Sequence, residues 1–341
     1  MKTTLGRLFN ESFSRRLTVE TGGPTITKGM AWALVLGLFG VYFGWGFFAA
    51  IISMLTGAEF GGSTKDLTSL SERLLKDASY VAIAAVIYRF IRPMVSSLRS
   101  LDAKPKNIRT KTVFMLTAVY MVILVGNSAL ELGGSRLPIW DWMGPFAGAS
   151  GSAFAPTGAP AHMLVLQLIM TLFAGATEEL ALVAIPLILF TRLGVSMRIA
   201  IPVLVAMRMS FHLYHGAPTM LIMGIWAFLA LWMYRRTSSI IPLVIGHSAF
   251  DFGIGLASLG TIGSIAMIVI MTTMPLIGLI AIIAGWRDRR LTARLATASA
   301  SASADGQPPT LEHHDPHASE PQLPATGSMR HGPGQPAPAG E

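Results

Sequence analysis

The chain has 341 residues, of which 52% are hydrophobic and 13% charged, whereas soluble domains carry about 25% charged residues. This imbalance excludes an ordinary soluble domain and indicates a membrane protein. The sequence contains no cysteine, which excludes disulfides and thiol nucleophiles, and its net charge of +8 comes from basic residues that lie mostly between apolar runs. We therefore expect contact with anionic lipid and none with nucleic acid.

The predicted elements begin with a polar, basic arm, residues 1–28, and continue as a series of apolar runs. Because a helix needs about 20 apolar residues to cross a bilayer, these runs predict an all-α polytopic membrane protein with eight transmembrane helices. The predicted spans are 30–55, 69–91, 112–130, 161–191, 198–215, 218–234, 240–257 and 261–285.

Basic residues alternate between the predicted loops as the positive-inside rule requires. The N-terminal arm, the loop 89–111 and the segments at Arg192, Arg235 and Arg287 are basic. The predicted outer regions hold only Lys65, Arg73, Lys76 and Arg136. This asymmetry predicts a multi-pass protein of the cell membrane with both termini in the cytoplasm.

The distribution of apolar and polar segments predicts five parts of the chain. They are a cytoplasmic basic arm (1–28), three scaffold transmembrane helices (29–130), an extracytoplasmic Gly/Pro-rich loop (131–160), a core of five transmembrane helices (161–290) and a disordered cytoplasmic tail (291–341). The tail is rich in Ala, Ser, Pro and Gly and has too few large apolar side chains to bury a core.

Two adjacent acids, Glu178 and Glu179, interrupt the fourth apolar segment. A carboxylate at membrane depth costs several kcal/mol by most scales, so an intramembrane acid indicates a functional site. Adjacent residues on a helix point about 100° apart, so only one of the two can face a given site squarely. Pro186 lacks a backbone donor and predicts a bend just after the pair.

The neighbouring segments supply further polar residues at helical spacing. Arg208, His212 and His215 share one face of the fifth segment, and His247 and Asp251 lie one turn apart on the seventh. Because an unpaired buried guanidinium is costly, we expect Arg208 to pair with the two glutamates. The three segments together predict one polar site inside the bilayer.

This arrangement resembles the CPBP family of intramembrane proteases (CAAX protease and bacteriocin-processing, also called Abi). The family carries the motifs Glu-Glu-x-x-x-Arg, Phe-x-x-x-His and His-x-x-x-Asn/Asp on successive helices. Here Glu178 and Glu179 match the first motif, and His247 to Asp251 match the third. The resemblance covers roughly residues 160–257, whereas the first three helices are generic.

Two departures from the family pattern concern the first two motifs. The arginine of the first motif is replaced by Val183, and Arg208 on the neighbouring helix could supply the missing charge. The second motif has two candidate histidines: Phe211 to His215 fits the letters, whereas His212 lies deeper in the predicted span. We favour His212.

The resemblance implies hydrolysis of a peptide bond in a membrane protein or lipidated peptide. Glu178 would activate water, His212 and His247 would hold that water or stabilise the oxyanion, and Asp251 would orient His247. Glu179 and Arg208 would form a structural ion pair. No cofactor is expected to be required, and the metal that Glu178, His212 and His247 could hold is zinc.

Two alternatives remain open at this point. A catalytically silent adaptor or immunity-type protein with the same fold is favoured by Val183 in place of the motif arginine. A proton-coupled transporter would also use intramembrane Glu, His and Arg, but it usually shows inverted repeats that this sequence lacks.

Overall fold

The structure is a computed structural model, and it describes residues 4–14, 17, 25–56, 67–94, 106–134, 137–138 and 160–305. Every regular element in these ranges is helical, so the prediction of an all-α protein is confirmed. The α-helices are α1 (Thr4–Phe13), α2 (Lys28–Phe39), α3 (Trp45–Thr56), α4 (Leu67–Ile91), α5 (Lys106–Gly134), α6 (Ala161–Glu178), α7 (Ile185–Arg192), α8 (Met197–Phe211), α9 (Ala217–Thr237), α10 (Ile241–Leu256) and α11 (Thr261–Asp305).

Two of the apolar runs are continuous helices interrupted by a π-helical turn. Gly40–Gly44 joins α2 to α3, and Glu179–Ala184 joins α6 to α7. The second turn lies just before Pro186, which has no N–H to donate to the carbonyl four residues back. The N–H of Ile185 instead reaches the carbonyl of Leu180, five residues back. The predicted bend near Pro186 thus takes the form of a widened turn that begins at Glu179.

Six described helical runs are long and apolar enough to cross a membrane, which confirms a multi-pass membrane protein. They are Lys28–Ile52, Asn107–Gly134, His162–Arg192, Ala217–Thr237, Ile241–Leu259 and Thr261–Ser301. Many large apolar side chains on these runs are exposed, such as Trp45 and Ile262, as expected of a surface that faces lipid.

The predicted count of eight spans is not confirmed. Helix α4 carries Glu72, Arg73, Lys76 and Asp77 in its first half, which lowers its apolar content. Helix α8 has 15 residues, a length of about 22 Å against a hydrocarbon core of about 30 Å. Both helices nevertheless pack into the bundle, α4 against α6 and α8 against α9.

The chain forms two compact units, Met1–Ala293 and Arg294–Glu341. In the second unit the described residues are helical as far as Asp305, so the predicted start of the tail at 291 falls inside a helix. Residues 306–341 of the predicted tail, and residues 139–159 of the predicted 131–160 loop, lie outside the described part of the chain.

The core of the first unit surrounds the second half of the α6–α7 run. Side chains from Leu182 to Phe190 are fully buried, with exposed fractions of 0–2%. Helix α10 packs closely along α6 and α5, so that His247 faces both Glu178 and Glu179.

Gly175 permits the close approach of α6 and α10. A Cβ at this position would lie 2.6 Å from the backbone N of Ser248 and 2.9 Å from the carbonyl of Val244. We expect Gly175→Ala to destabilise the protein by about 1–3 kcal/mol, because backbone atoms cannot yield as a flexible side chain can. Thermal unfolding in detergent should therefore shift to lower temperature.

The matched control is Gly126→Ala in the middle of α5, where a Cβ would meet nothing within 4 Å. Alanine is the better helix former, so this change should leave the melting temperature unchanged or raise it. Equal melting temperatures for the two variants would contradict the tight α6–α10 contact.

Candidate active site

The two acids of the fourth segment lie in different surroundings. Glu178 is the last residue of α6 and its side chain is 14% exposed, whereas Glu179 begins the π-helical turn and is 0% exposed. The angular offset between neighbouring residues of a helix explains why one acid reaches a cavity and the other points into protein. Sequence reasoning expected this division.

Arg208 of α8 binds the buried acid through both of its terminal nitrogens. Its Nη2 lies 2.7 Å from Glu179 Oε1 and its Nη1 lies 3.3 Å from Glu179 Oε2. A longer contact of 3.4 Å joins Nη2 to Glu178 Oε2. A bidentate guanidinium–carboxylate pair is the strongest form of buried ion pair, and it fixes the orientation of Glu179.

Val183 occupies the place of the family's motif arginine and is fully buried among apolar side chains. The guanidinium that neutralises Glu179 comes from α8, as the sequence predicted for Arg208. The buried carboxylate of Glu179 is therefore paired with a guanidinium from a neighbouring helix.

Two aromatic residues that sequence reasoning missed complete the surroundings of Glu179. The hydroxyl of Tyr120 on α5 donates to Glu179 Oε1 at 2.7 Å, and the indole Nε1 of Trp226 on α9 donates to the Tyr120 hydroxyl at 2.8 Å. The Trp226 ring also lies 3.8 Å from the Arg208 guanidinium carbon, a cation–π contact. Their polar groups inside apolar helices were the available signal, since buried Tyr and Trp usually find hydrogen-bond partners.

His247 of α10 lies between the buried acid and the cavity. Its Nδ1 is 3.0 Å from Glu179 Oε1, and its Nε2 is 3.4 Å from Asp251 Oδ2. Because an ionised carboxylate only accepts hydrogen bonds, Nδ1 carries a proton directed at Glu179. The sequence prediction assigned the orientation of His247 to Asp251, but the closer carboxylate partner is Glu179.

The ring nitrogens of two histidines face Glu178 from two different helical segments. The Nε2 atoms of His212 and His247 lie 3.9 Å and 4.0 Å from Glu178 Oε2. His212 begins the short 3-10 turn that ends α8, and its ring centroid lies 5.9 Å from that of His215 at the end of the turn. The structure thus brings Glu178, His212 and His247 together, and His215 lines the same cavity.

A cavity of about 380 Å³ opens beside Glu178, within the size range of small-molecule and peptide sites. It is lined by apolar side chains together with polar groups from five helical segments. The polar and charged lining residues are Arg73, Asp77, Asn127, Ser128, Glu131, Gln167, Thr171, Glu178, His212, His215, His247 and Asp251. A polar lining of this kind can hold water inside an otherwise apolar bundle.

The residues that could hold zinc, Glu178, His212 and His247, do not form a ready metal site. The described part of the chain contains no group of three His, Asp or Glu side chains arranged to hold a metal ion. Two ligands that lie about 2.0–2.2 Å from a tetrahedral zinc are about 3.4 Å apart, so the 3.9 Å and 4.0 Å between the histidine nitrogens and Glu178 Oε2 would have to shorten by about half an ångström to hold the ion. The expectations on cofactors stay predictions.

Comparisons with known proteins point to the same part of the chain. Residues 160–253 match the family model described as Rce1-like, type II CAAX prenyl endopeptidase Rce1-like. The comparisons with curated proteins and with solved structures gave no match. The matched range extends from the start of α6 into α10 and contains Glu178, Arg208 and His247. It confirms the resemblance to CPBP-family membrane proteases over this range.

Proposed function

We propose, from the family match over residues 160–253 and the cavity beside Glu178, that the protein is a CAAX-type intramembrane endopeptidase. The observation that carries this proposal is the position of Glu178 Oε2, about equally far from two histidine nitrogens, at 3.9 Å and 4.0 Å. A water molecule that makes hydrogen bonds of about 2.8 Å to the acid and to either histidine fits gaps of this length.

In the proposed reaction Glu178 removes a proton from this water as its oxygen attacks the carbonyl carbon of the scissile peptide bond. The carbonyl becomes an oxyanion, which a ring N–H of His212 and the Nε2–H of a doubly protonated His247 stabilise. Collapse of the oxyanion breaks the C–N bond, and the proton held by Glu178 passes to the leaving amine. The products are a new carboxylate and a new amine.

The remaining polar residues hold the reacting groups in place. The Arg208 and Tyr120 side chains fix Glu179, and Glu179 in turn fixes the ring of His247 through Nδ1. This arrangement leaves Nε2 of His247 directed towards Glu178 and Asp251. Positioning residues of this kind matter because a small displacement of a catalytic group lowers the rate strongly.

The experiment that tests this function is a cleavage assay with the purified full chain in lipid nanodiscs. Two substrate sets are offered: prenylated peptides that end in a CAAX sequence, and peptides with a single transmembrane segment. Mass spectrometry should detect a new carboxyl terminus in at least one set. Intact peptides in both sets, with folded protein present, would support the silent adaptor instead.

The same assay decides between the two candidate histidines of the second motif. We expect His212→Gln to lower the hydrolysis rate by about 100-fold or more, because its Nε2 faces Glu178. The ring of His215 lines the same cavity at a centroid distance of 5.9 Å from that of His212. The histidine nitrogens that face the Glu178 carboxylate belong to His212 and His247, so His215→Gln should lower the rate by less than about tenfold. A larger loss at His215 than at His212 would reverse the assignment.

A further inference from the structure

The cavity beside Glu178 extends towards only one end of the bundle. On α5 its lining runs from Leu124 to Glu131, beyond Tyr120 and towards Gly134. On α6 it runs from Glu178 back to Gln167, towards the start of the helix. Three other helices add to the lining. The first half of α4 contributes Leu70, Arg73 and Asp77, and the first half of α9 contributes Met223 and Trp226. The second half of α10 contributes His247, Phe250, Asp251 and Ile254.

These helix ends lie together, and we call them the cavity end. Leu70 of α4 clusters with Met163 and Met170 of α6. A Cβ on Gly134, the last residue of α5, would lie 2.9 Å from the side chain of Ile222 near the start of α9. The Asn127 amide nitrogen lies 3.4 Å from the Met223 sulfur, which joins the same two helices about two turns before Gly134 on α5.

Packed apolar side chains close the opposite side of the site. The run from Leu182 to Phe190 follows the acids directly and is at most 2% exposed. The ring of Trp32 packs on Phe190 at a centroid distance of 4.7 Å, and Met94 and Leu243 belong to the same buried cluster. A peptide could not reach Glu178 through this layer without unpacking it.

The strongly basic segments lie at the end of the bundle beyond this layer. The carbonyl of Arg235, at the end of α9, accepts a hydrogen bond from the N–H of Leu17 in the N-terminal arm. Asn10 of α1 donates to the carbonyl of Gly285 and lies 2.5 Å from Arg289 Nε of α11. Helix α4 also ends on this side, at Ile91 just before Arg92, and α5 begins there with Lys106. By the positive-inside rule this basic end faces the cytoplasm.

We infer that the cavity is entered from the non-cytoplasmic face of the membrane, so that the site acts on a segment presented at that face. The substrate class rests on the proposed function, whereas the direction of access does not. The substrate class is then a membrane-anchored peptide segment exposed on the outer side. A lipid-modified C terminus that remains on the cytoplasmic side would meet the packed apolar layer.

Cysteine labelling tests the direction of access, because the natural chain has no cysteine of its own. Ser128→Cys places a thiol of nearly the same size in the cavity wall. The full chain is expressed in a bacterial host, and a membrane-impermeant cationic methanethiosulfonate is added to intact cells or to inverted membrane vesicles. We expect the cavity cysteine to react in intact cells and not in inverted vesicles.

Two single-cysteine controls identify the faces in the same experiment. The first is Leu137→Cys, just beyond α5 at the cavity end, where the native leucine is 52% exposed. The second is Arg287→Cys, at the basic end, where the native arginine is also exposed. Leu137→Cys should react in intact cells, and Arg287→Cys should react in inverted vesicles. Reaction of Ser128→Cys only in inverted vesicles, reaction on neither side, or exchanged controls would overturn the inference.

Labelling requires no hydrolysis, so its result does not depend on whether the protein cleaves peptides. A chain that cleaves nothing can still show a cavity open to the outer face. Conversely, a chain that cleaves peptides but reacts only from the cytoplasmic side would keep its proposed activity and lose the inferred direction of access.

Discussion

Glu178→Gln is expected to lower the hydrolysis rate by about 10²- to 10⁴-fold, the range usually lost with a general base. The amide keeps the size of the side chain but cannot accept the proton of the attacking water. Glu178 makes only a 3.4 Å contact with Arg208, and Glu179 carries the short bonds, so the fold should tolerate the change. The melting temperature of this variant should stay close to that of the natural chain.

The matched control is Glu131→Gln, which is also an acid-to-amide change in the wall of the same cavity. Glu131 lies near the end of α5, about two turns or more along the helix from Tyr120, and so away from the reacting groups. It should retain activity within about fivefold of the natural chain, since it lies outside the set of groups that transfer protons. Equal rates for Glu178→Gln and the natural chain would remove Glu178 from the mechanism.

Arg208→Met should be the most destabilising single change in the site. It leaves the fully buried carboxylate of Glu179 without its guanidinium, and breaking a buried pair from one side costs about 3–5 kcal/mol. It also removes the cation–π contact with Trp226. We expect a large fall in the yield of folded protein and in its melting temperature.

The double variant Arg208→Met with Glu179→Gln separates the effect of the unpaired charge on stability from the effect of lost packing. Removing both charges should recover part of the lost stability, because no unpaired carboxylate remains. The surface pair Arg7–Glu11 serves as control: its charged atoms are 3.9 Å apart and both side chains are about half exposed or more. Arg7→Met should change stability by less than about 1 kcal/mol. A double variant no more stable than Arg208→Met would contradict the paired-charge explanation.

The sequence predicted that the two acids lie in different surroundings and that Arg208 pairs with the buried one. Both predictions rest on rules that hold locally. Neighbouring residues of a helix diverge by about 100°, and a buried guanidinium needs a carboxylate. Glu178 in the cavity, and Glu179 held by Arg208, follow from these rules once the helices are known to be adjacent.

Other features depended on three-dimensional packing that no local pattern specifies. Tyr120 and Trp226 carry polar groups that need partners, but which partner each one meets depends on how α5 and α9 lie beside the π-helical turn at Glu179. The preference of His247 for Glu179 over Asp251 likewise depends on how α10 lies against the π-helical turn. The charged first half of α4 was predicted as part of a span, yet its side chains Arg73 and Asp77 line the cavity.

The most direct measurement of the proposed mechanism is a single turnover in water enriched in the heavy oxygen isotope. The full chain in nanodiscs is mixed in excess with a cleavable membrane peptide, and both product and protein are analysed by mass spectrometry. Direct attack by water predicts heavy oxygen in the new peptide carboxylate and none in Glu178. An unlabelled product together with heavy oxygen in the Glu178 carboxylate would show a covalent intermediate and contradict the role of Glu178 as a base.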